Sequence, residues 1–154
     1  TDAYEMIEQI GIISNKESKA KMLISHIKEN FSQLQHSNSN PQTIYLIWQK
    51  PYMTVGGDTF IHSMIEAAGF QNIYANSTRY PEVTIEELKA KNPDLIILSS
   101  EPFPFNQKHI DELQVHLPTT KIVLADGEMF SWYGSRLIKA PAYFATVSEQ
   151  IVRP

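Results

Sequence analysis

The chain has no cysteine in its 154 residues, which removes disulfides, thiolate metal sites and a cysteine nucleophile from consideration. No apolar run approaches the roughly 18–20 residues that a membrane-spanning helix requires. Positive charge is sparse: 13 Lys and Arg stand against 17 Asp and Glu, for a net charge of −4. The bases are scattered, which argues against a protein that binds a nucleic-acid backbone. Catalytic and phosphate-binding signatures are missing too, with no GxSxG elbow, HExxH, Walker loop or GxGxxG. The opening TDAYEMIEQI has no initiator Met, no basic n-region and no apolar h-region. A signal peptide is therefore expected to be absent or already removed, and a start within a helix-like pattern points to a fragment or processed form. What remains is 42% apolar and 19% charged, the make-up of one ordinary globular domain.

Two kinds of patterning divide the chain. KESKAKMLISHIKENFSQLQ places Ala20, Leu23, Ile24, Ile27, Phe31 and Leu34 at i, i+3, i+4, i+7, i+11 and i+14, one stripe along a helix over 15–35. Ser14 or Asn15 is positioned to cap its start, and a shorter helix from Asp2 to Ile10 is expected to stop at Gly11. The polar stretch HSNSNPQ (36–42) is the clearest break.

Beyond the break, strands are expected over TIYLIW (43–48), NIYA (72–75), DLIILS (94–99) and KIVLA (121–125). Between them lie helices with clear ends. DTFIHSMIEAAG has Asp58 near its start and Gly69 at C′. TIEELKAK opens with a capping box of Thr84 and Glu87 and stops at Asn92-Pro93. NQKHIDELQVHL (106–117) ends at Pro118, and Pro141 must kink or divide the last helical stretch, since an interior proline costs about 3 kcal/mol. Strand and helix alternate with short connections. The expected fold class is therefore α/β: three layers, α/β/α, with a mostly parallel sheet of four to five strands preceded by a long helix.

Ligands of open parallel sheets sit beyond the C-terminal strand ends, so the four loops there carry the functional question. The first holds Trp48, Pro51, Tyr52, Met53 and Gly56-Gly57; the second, Arg79, Tyr80, Pro81 and Glu82. The third is SSEPFPF, with Glu101, Phe103 and Phe105. The fourth holds Asp126, Glu128, Phe130, Trp132, Tyr133 and Arg136. Any one of these rings could simply fill a local gap, and Phe103 and Phe130 are good candidates for that. Their recurrence in four loops on one edge reads as a surface for a large, partly apolar ligand or a partner.

Catalytic readings find less support. His62 lies in a helix pattern, and His109 and His116 stand two turns, about 10 Å, apart on one helix. That is too far to share a metal without further ligands. An alternative is a small nucleotide- or anion-binding enzyme domain, using Gly56 and Gly57 as an anion cradle at a helix start and Asp126 and Glu128 as cation or acid/base groups.

The order of long helix, polar loop, YLIWQKPYMTVGGDTFIHSMIEAAGFQNIYA and RYPEVTIEELKAKNPDLIILSSEPFPF, then a last strand and helix, resembles a known family. It is similar to the C-terminal lobe of helical-backbone (class III) substrate-binding proteins, which serve ABC importers of cobalamin, haem and ferric siderophores. The resemblance runs from about residue 15 to the end. Its most specific parts are G-x-x-TFI-x-x-MIEAAG-x-x-N in 56–72 and YPEVTIEEL followed by NPDLIILSS. It implies that residues 1–36 are the end of an N-terminal lobe and the interlobe backbone helix, and residues 37–154 the C-terminal α/β lobe. It implies a non-enzymatic, periplasmic or lipid-anchored receptor with no resident cofactor. Its partners would be a metal-chelate ligand, an ABC permease and the N-terminal lobe absent from this chain. Candidate ligand contacts are Tyr52 or Met53, Tyr80, Glu128, Trp132 and Arg136, with Phe103 added from the aromatic set. The TIEEL match puts the permease-docking glutamate at Glu86. Two positions depart from the cobalamin binders: Tyr80 stands where they commonly have tryptophan, and Met53 where they have phenylalanine.

Overall fold

The computed structural model describes residues 2–34 and 40–152. It begins with two helices, α1 (Asp2–Ile13) and α2 (Glu17–Ser32), then β1 (Gln42–Leu46), β2 (Tyr52–Met53) and α3 (Phe60–Ala67). Next come β3 (Gln71–Asn72), β4 (Glu82–Val83), α4 (Ile85–Lys91), β5 (Leu95–Ser99) and α5 (Gln107–His116). The chain closes with β6 (Lys121–Ala125), α6 (Glu128–Ser131), a 3₁₀ turn (Gly134–Ile138) and α7 (Ala140–Val152). Most of the expected polar loop, residues 36–39, lies outside the described residues.

The main sheet has four strands in the order β3-β1-β5-β6, every pair parallel. Side chains alternate between its two faces, as a period of two requires. Tyr45, Leu95, Ile97 and Val123 face the layer built from α1, α2, α3, α6 and α7. Ile44, Leu46, Ile96, Leu98 and Ile122 face α4 and α5. β1 and β5 are buried on both faces, which explains their nearly unbroken apolar sequence. The three-layer α/β expectation holds.

Several local boundaries differ from the sequence reading. Gly11 does not stop α1; the helix runs through it to Ile13. A Cβ at Gly11 would lie 2.5 Å from the Ala20 Cβ, so the glycine lets α1 and α2 cross closely. The stop is Asn15, in the left-handed region at φ 52°. Asn15 N–H donates to the Ile12 carbonyl and Lys16 N–H to the Gly11 carbonyl, the paired bonds of a Schellman end. Neither Ser14 nor Asn15 caps α2; Ser14 Oγ donates to the Ile10 carbonyl at 2.6 Å, and the N-cap is Lys16. The stripe from Ala20 to Phe31 is as expected, with Ile27 fully buried, but α2 ends at Ser32 and Leu34 packs on the core from beyond the helix. Strand one ends at Leu46 rather than at residue 48, and strand two is only Gln71–Asn72 rather than 72–75. Pro141 falls in the first turn of α7, where its missing N–H costs no intrahelical bond, and the chain divides just before it. The Thr84–Glu87 capping box is formed.

One element had no counterpart in the sequence reading. β2 and β4 pair antiparallel, with Tyr52 opposite Val83 and Met53 opposite Glu82. The first and second strand-end loops are thus zipped into a ribbon.

Candidate functional site

From β1 the chain crosses by α3 to β3 on one side; from β5 it crosses by α5 to β6 on the other. The C-terminal ends of β1 and β5 are therefore the point where the winding reverses, where α/β sheets open a crevice. Trp48 and Phe103 meet there, with ring centroids 5.6 Å apart in an edge-to-face arrangement. Phe103 N–H donates to the Ile47 carbonyl at 3.3 Å. Phe103 is half-buried, packed on Phe105 at 4.7 Å and His109 at 5.3 Å. It serves as a footing for Trp48, which is 40% exposed. His109 is occupied locally, its Nδ1 accepting the Asn106 N–H at the start of α5.

The ribbon fixes the other side. Tyr52 is half-buried; its hydroxyl accepts from Gln49 Nε2 at 3.1 Å, and its ring packs towards the α4–α5 layer. Met53 is half-buried against the opposite layer. Past the ribbon, Gly56 N–H donates to the Arg79 carbonyl and Gly57 N–H to the Ser77 carbonyl. A Cβ at Gly56 would lie 2.4 Å from the Ser77 oxygen, and one at Gly57 2.0 Å from the Ala75 oxygen. These glycines permit close backbone approach, and their amides are already used. The anion cradle of the alternative reading is thereby lost. Arg79 turns the chain at φ 58°, with its N–H on Asp58 Oδ1, and presents Tyr80 at 43% exposure.

The loop after β6 is tied to the loop after β5. Gly127 N–H donates to Ser100 Oγ at 3.0 Å, and Asp126 Oδ1 accepts from Glu128 N–H at 3.0 Å. Ser131 Oγ and Trp132 Nε1 both donate to Glu101 Oε1, at 2.9 and 2.6 Å. Glu128 is ion-paired with Arg136, whose guanidinium lies over the Trp132 ring at 5.8 Å. Tyr133 stacks on Phe60 at 4.3 Å and remains 44% exposed, close to the 48% of Trp132. Behind the loop, the Tyr143 hydroxyl accepts from Asp126 N–H at 2.6 Å. Burial pushes the Tyr143 phenol above its ordinary value, with the Asp126 charge adding to the rise and the backbone bond opposing it.

Among the candidates, Trp132, Arg136 and Glu128 come together in one network. Tyr80 stands free on the rim, and Phe103 lies beneath Trp48. Tyr52 and Met53 lie back in the ribbon. Phe130 is fully buried against Tyr45 and Phe144 and belongs to the core. Two exposed rings, Trp48 and Tyr133, and the anchor Glu101 were visible only as loop composition. Their roles depend on contacts across loops.

A cavity of about 300 Å³ opens beside this edge, lined by Gly57, Asp58, Thr59, Phe60, Ser63 and Tyr133. A larger groove of about 400 Å³ runs between α2 and α7, along Leu34, Ile138 and Pro141. It is a seam between helices, away from the strand ends and without an exposed ring. Glu86 is exposed in the first turn of α4; no hydrogen bond or ion pair engages it among the described residues, whereas Glu87 beside it is held by Thr84. No group of three or more His, Asp or Glu side chains among the described residues is close enough to hold a metal ion. No described helix is long and apolar enough to cross a membrane.

The chain can be compared with known proteins on this basis. A vitamin B12-binding protein of Vibrio parahaemolyticus is 26% identical over 102 residues, covering 64% of this chain and 37% of that protein. An uncharacterised ABC transporter substrate-binding lipoprotein of Bacillus subtilis is 27% identical over 104 residues, 63% of this chain and 33% of that protein. The chain thus spans about a third of the length of these relatives. Among solved structures, a possible iron-binding (periplasmic solute-binding) protein of Staphylococcus epidermidis shares the fold with a TM-score of 0.77 at 19% identity. That match covers 98% of this chain and 62% of that one. The family model described as periplasmic binding protein matches residues 1–121, and the chain belongs to that family.

Proposed function

We propose that this member of the periplasmic binding protein family is the C-terminal lobe of an ABC importer's substrate-binding protein, one that captures a metal chelate. The observation that carries the reading is the rim of four exposed rings, Trp48, Tyr80, Trp132 and Tyr133, along the C-terminal edge of a parallel sheet. Exposed rings, three of them (Trp48, Trp132 and Tyr133) held by their neighbours, offer broad contact to a flat or lobed apolar ligand. Cobalamin, a ferric siderophore and haem all fit that description, and the vitamin B12-binding relative supports the class.

In this reading residues 1–36 are the end of an N-terminal lobe and the backbone helix, and residues 37–154 form the C-terminal lobe. The missing lobe supplies the opposite wall, so the ligand is held by the complete protein and not by this chain alone. Tyr80, Trp132, Glu128 and Arg136 contact the ligand, with Trp48 raised on Phe103 beside them. Tyr52 and Met53 shape the ribbon behind Tyr80. Glu86 meets the permease. The protein works outside the cytoplasm, in the periplasm or lipid-anchored at the membrane face, as the lipoprotein relative supports. It binds and delivers without turnover.

The test is a calorimetric titration of the complete two-lobe protein with cobalamin, haem and ferric siderophores, repeated with Tyr80→Ala and Trp132→Ala. Saturable binding of one chelate that weakens by about tenfold or more in each variant, with unchanged thermal unfolding, is the expected result. Undiminished affinity in both variants would remove this edge from the site.

A further inference from the structure

Resting on the reading of this edge as one wall of a chelate site, we propose that the wall selects a cationic or neutral metal chelate and rejects a polyanionic one. The loops after β5 and β6 (residues 99–106 and 126–136) carry Glu101, Asp126 and Glu128 and a single base, Arg136. That base is already engaged, ion-paired to Glu128 and lying over the Trp132 ring. In the other two loops Lys50 and Arg79 are balanced by Asp58 and Glu82. The side of the crevice that holds Trp132 and Tyr133 is therefore net negative.

Hydrogen bonding does not remove that charge. Glu101 accepts from Trp132 Nε1 and Ser131 Oγ, both neutral donors that fix the carboxylate without neutralising it. Asp126 is held the same way by a backbone N–H of its own loop. Glu101, Asp126 and Glu128 are half-buried, so a second anion brought against them faces repulsion that salt screens in part. The carboxylates of haem or the oxygens of a ferric tris-catecholate would find no unpaired base in the loops after β5 and β6, and in the other two loops the exposed Lys50 and Arg79 are offset by Asp58 and Glu82. A chelate carrying an ammonium group would instead meet the Glu101 and Asp126 carboxylates together with the exposed parts of Trp132 and Tyr133 not covered by Arg136 and Phe60, and ring faces attract cations. The acids thus act as the repulsive element of specificity, and the rings supply affinity that is indifferent to the metal.

The experiment titrates the complete two-lobe protein calorimetrically with four ferric probes at low and high salt. They are the cationic trihydroxamate ferrioxamine B, the neutral trihydroxamate ferrichrome, haemin and the polyanionic tris-catecholate ferric enterobactin. The cationic or neutral probe should bind at least about tenfold more tightly than either anion, and the cation's advantage should shrink in high salt. Glu128→Gln, which releases Arg136, should narrow the gap; Glu101→Gln, which keeps an acceptor for Trp132, should do so independently. Tightest binding by haemin or ferric enterobactin overturns this inference and leaves the chelate-receptor reading standing. A gap unchanged in both variants also overturns it, by assigning discrimination to the other lobe. Absence of binding by all four probes and by cobalamin overturns both.

Discussion

The indole N–H of Trp132 is held by Glu101 at 2.6 Å, so two loops separated by α5 and β6 act as one wall. The same carboxylate oxygen also takes Ser131 Oγ. Glu101 is thus a positioning residue: it sets the angle at which an exposed ring meets whatever lies in the crevice. Glu101→Ala should free the indole while leaving the fold intact, at a cost of about 1–3 kcal/mol for the two lost acceptor contacts. In a Trp48→Phe background the Trp132 emission should move to longer wavelength and its anisotropy should fall. Glu101→Gln should restore most of both signals. If Glu101→Ala leaves emission and anisotropy unchanged, packing alone holds the ring.

Gly57 tests the ribbon in the same spirit. Its missing Cβ is what allows the first and second strand-end loops to lie backbone against backbone, because a Cβ there would sit 2.0 Å from the Ala75 oxygen. The obstacle is backbone, which cannot swing aside as a side chain can. Gly57→Ala should therefore destabilise the protein by about 1–3 kcal/mol or more, visible as a lower urea midpoint. Gly134 has a positive φ of 78°, but a Cβ added there would meet nothing within 4 Å, so Gly134→Ala separates conformational strain from collision. Equal effects at both positions would refute the close-approach account.

How much of this was legible beforehand follows from the range of the forces involved. The parallel sheet and its helices were readable because burial is periodic: Ile44, Leu46, Ile96 and Leu98 sit on one face of strands whose partners Tyr45, Leu95 and Ile97 face the other. The Thr84–Glu87 box was readable because both partners lie within one turn. The β2–β4 ribbon was not, since two-residue strands have no period to detect. Gly11 misled because a glycine that ends a helix and one that lets a helix be crossed look alike in sequence. At the site, the aromatic loops could be identified, but not which rings would be free. Phe130 and Trp132 are two residues apart, and one is core while the other is rim. The pairing of Trp132 with Glu101 spans 31 positions and leaves no local mark.

The first turn of α4 allows two adjacent acids to be distinguished by experiment. Thr84 Oγ1 accepts from Glu87 N–H at 3.2 Å, and Glu87 Oε2 accepts from Thr84 N–H at 2.7 Å, while Glu86 is exposed beside them. Thr84→Ala should lower stability by about 1 kcal/mol through loss of the cap. Glu86→Gln removes only a favourable interaction with the helix N-terminus, at most about 0.3–1 kcal/mol. If Glu86 docks the permease, Glu86→Gln in the complete protein should still weaken stimulation of the transporter's ATPase, with ligand affinity unchanged. Full stimulation by Glu86→Gln would assign docking elsewhere.

Tyr45 carries the last prediction, which concerns pH. Its side chain is fully buried in the centre of β1 against Phe130, and its hydroxyl donates to Ser99 Oγ at 3.1 Å. Burial pushes the phenol well above its ordinary value, with the Ser99 bond opposing and the charges of Tyr143, Glu101 and Asp126 adding to the rise. The unfolded chain therefore loses this proton first, near pH ~10, while the folded protein keeps it. Stability from this group is fully present below that pH and falls as pH rises beyond it, by about 1.4 kcal/mol per unit until the folded phenol ionises. Tyr45→Phe removes the group that titrates. It should be less stable than the natural protein at pH 8 by about 1 kcal/mol, for the lost hydrogen bond. The deficit should close, then reverse, as urea unfolding is repeated at successively higher pH above 10. Lysines and the other tyrosines titrate in both proteins, so the difference isolates Tyr45. A deficit that stays constant through that range would mean that the folded protein yields the Tyr45 proton as readily as the unfolded chain.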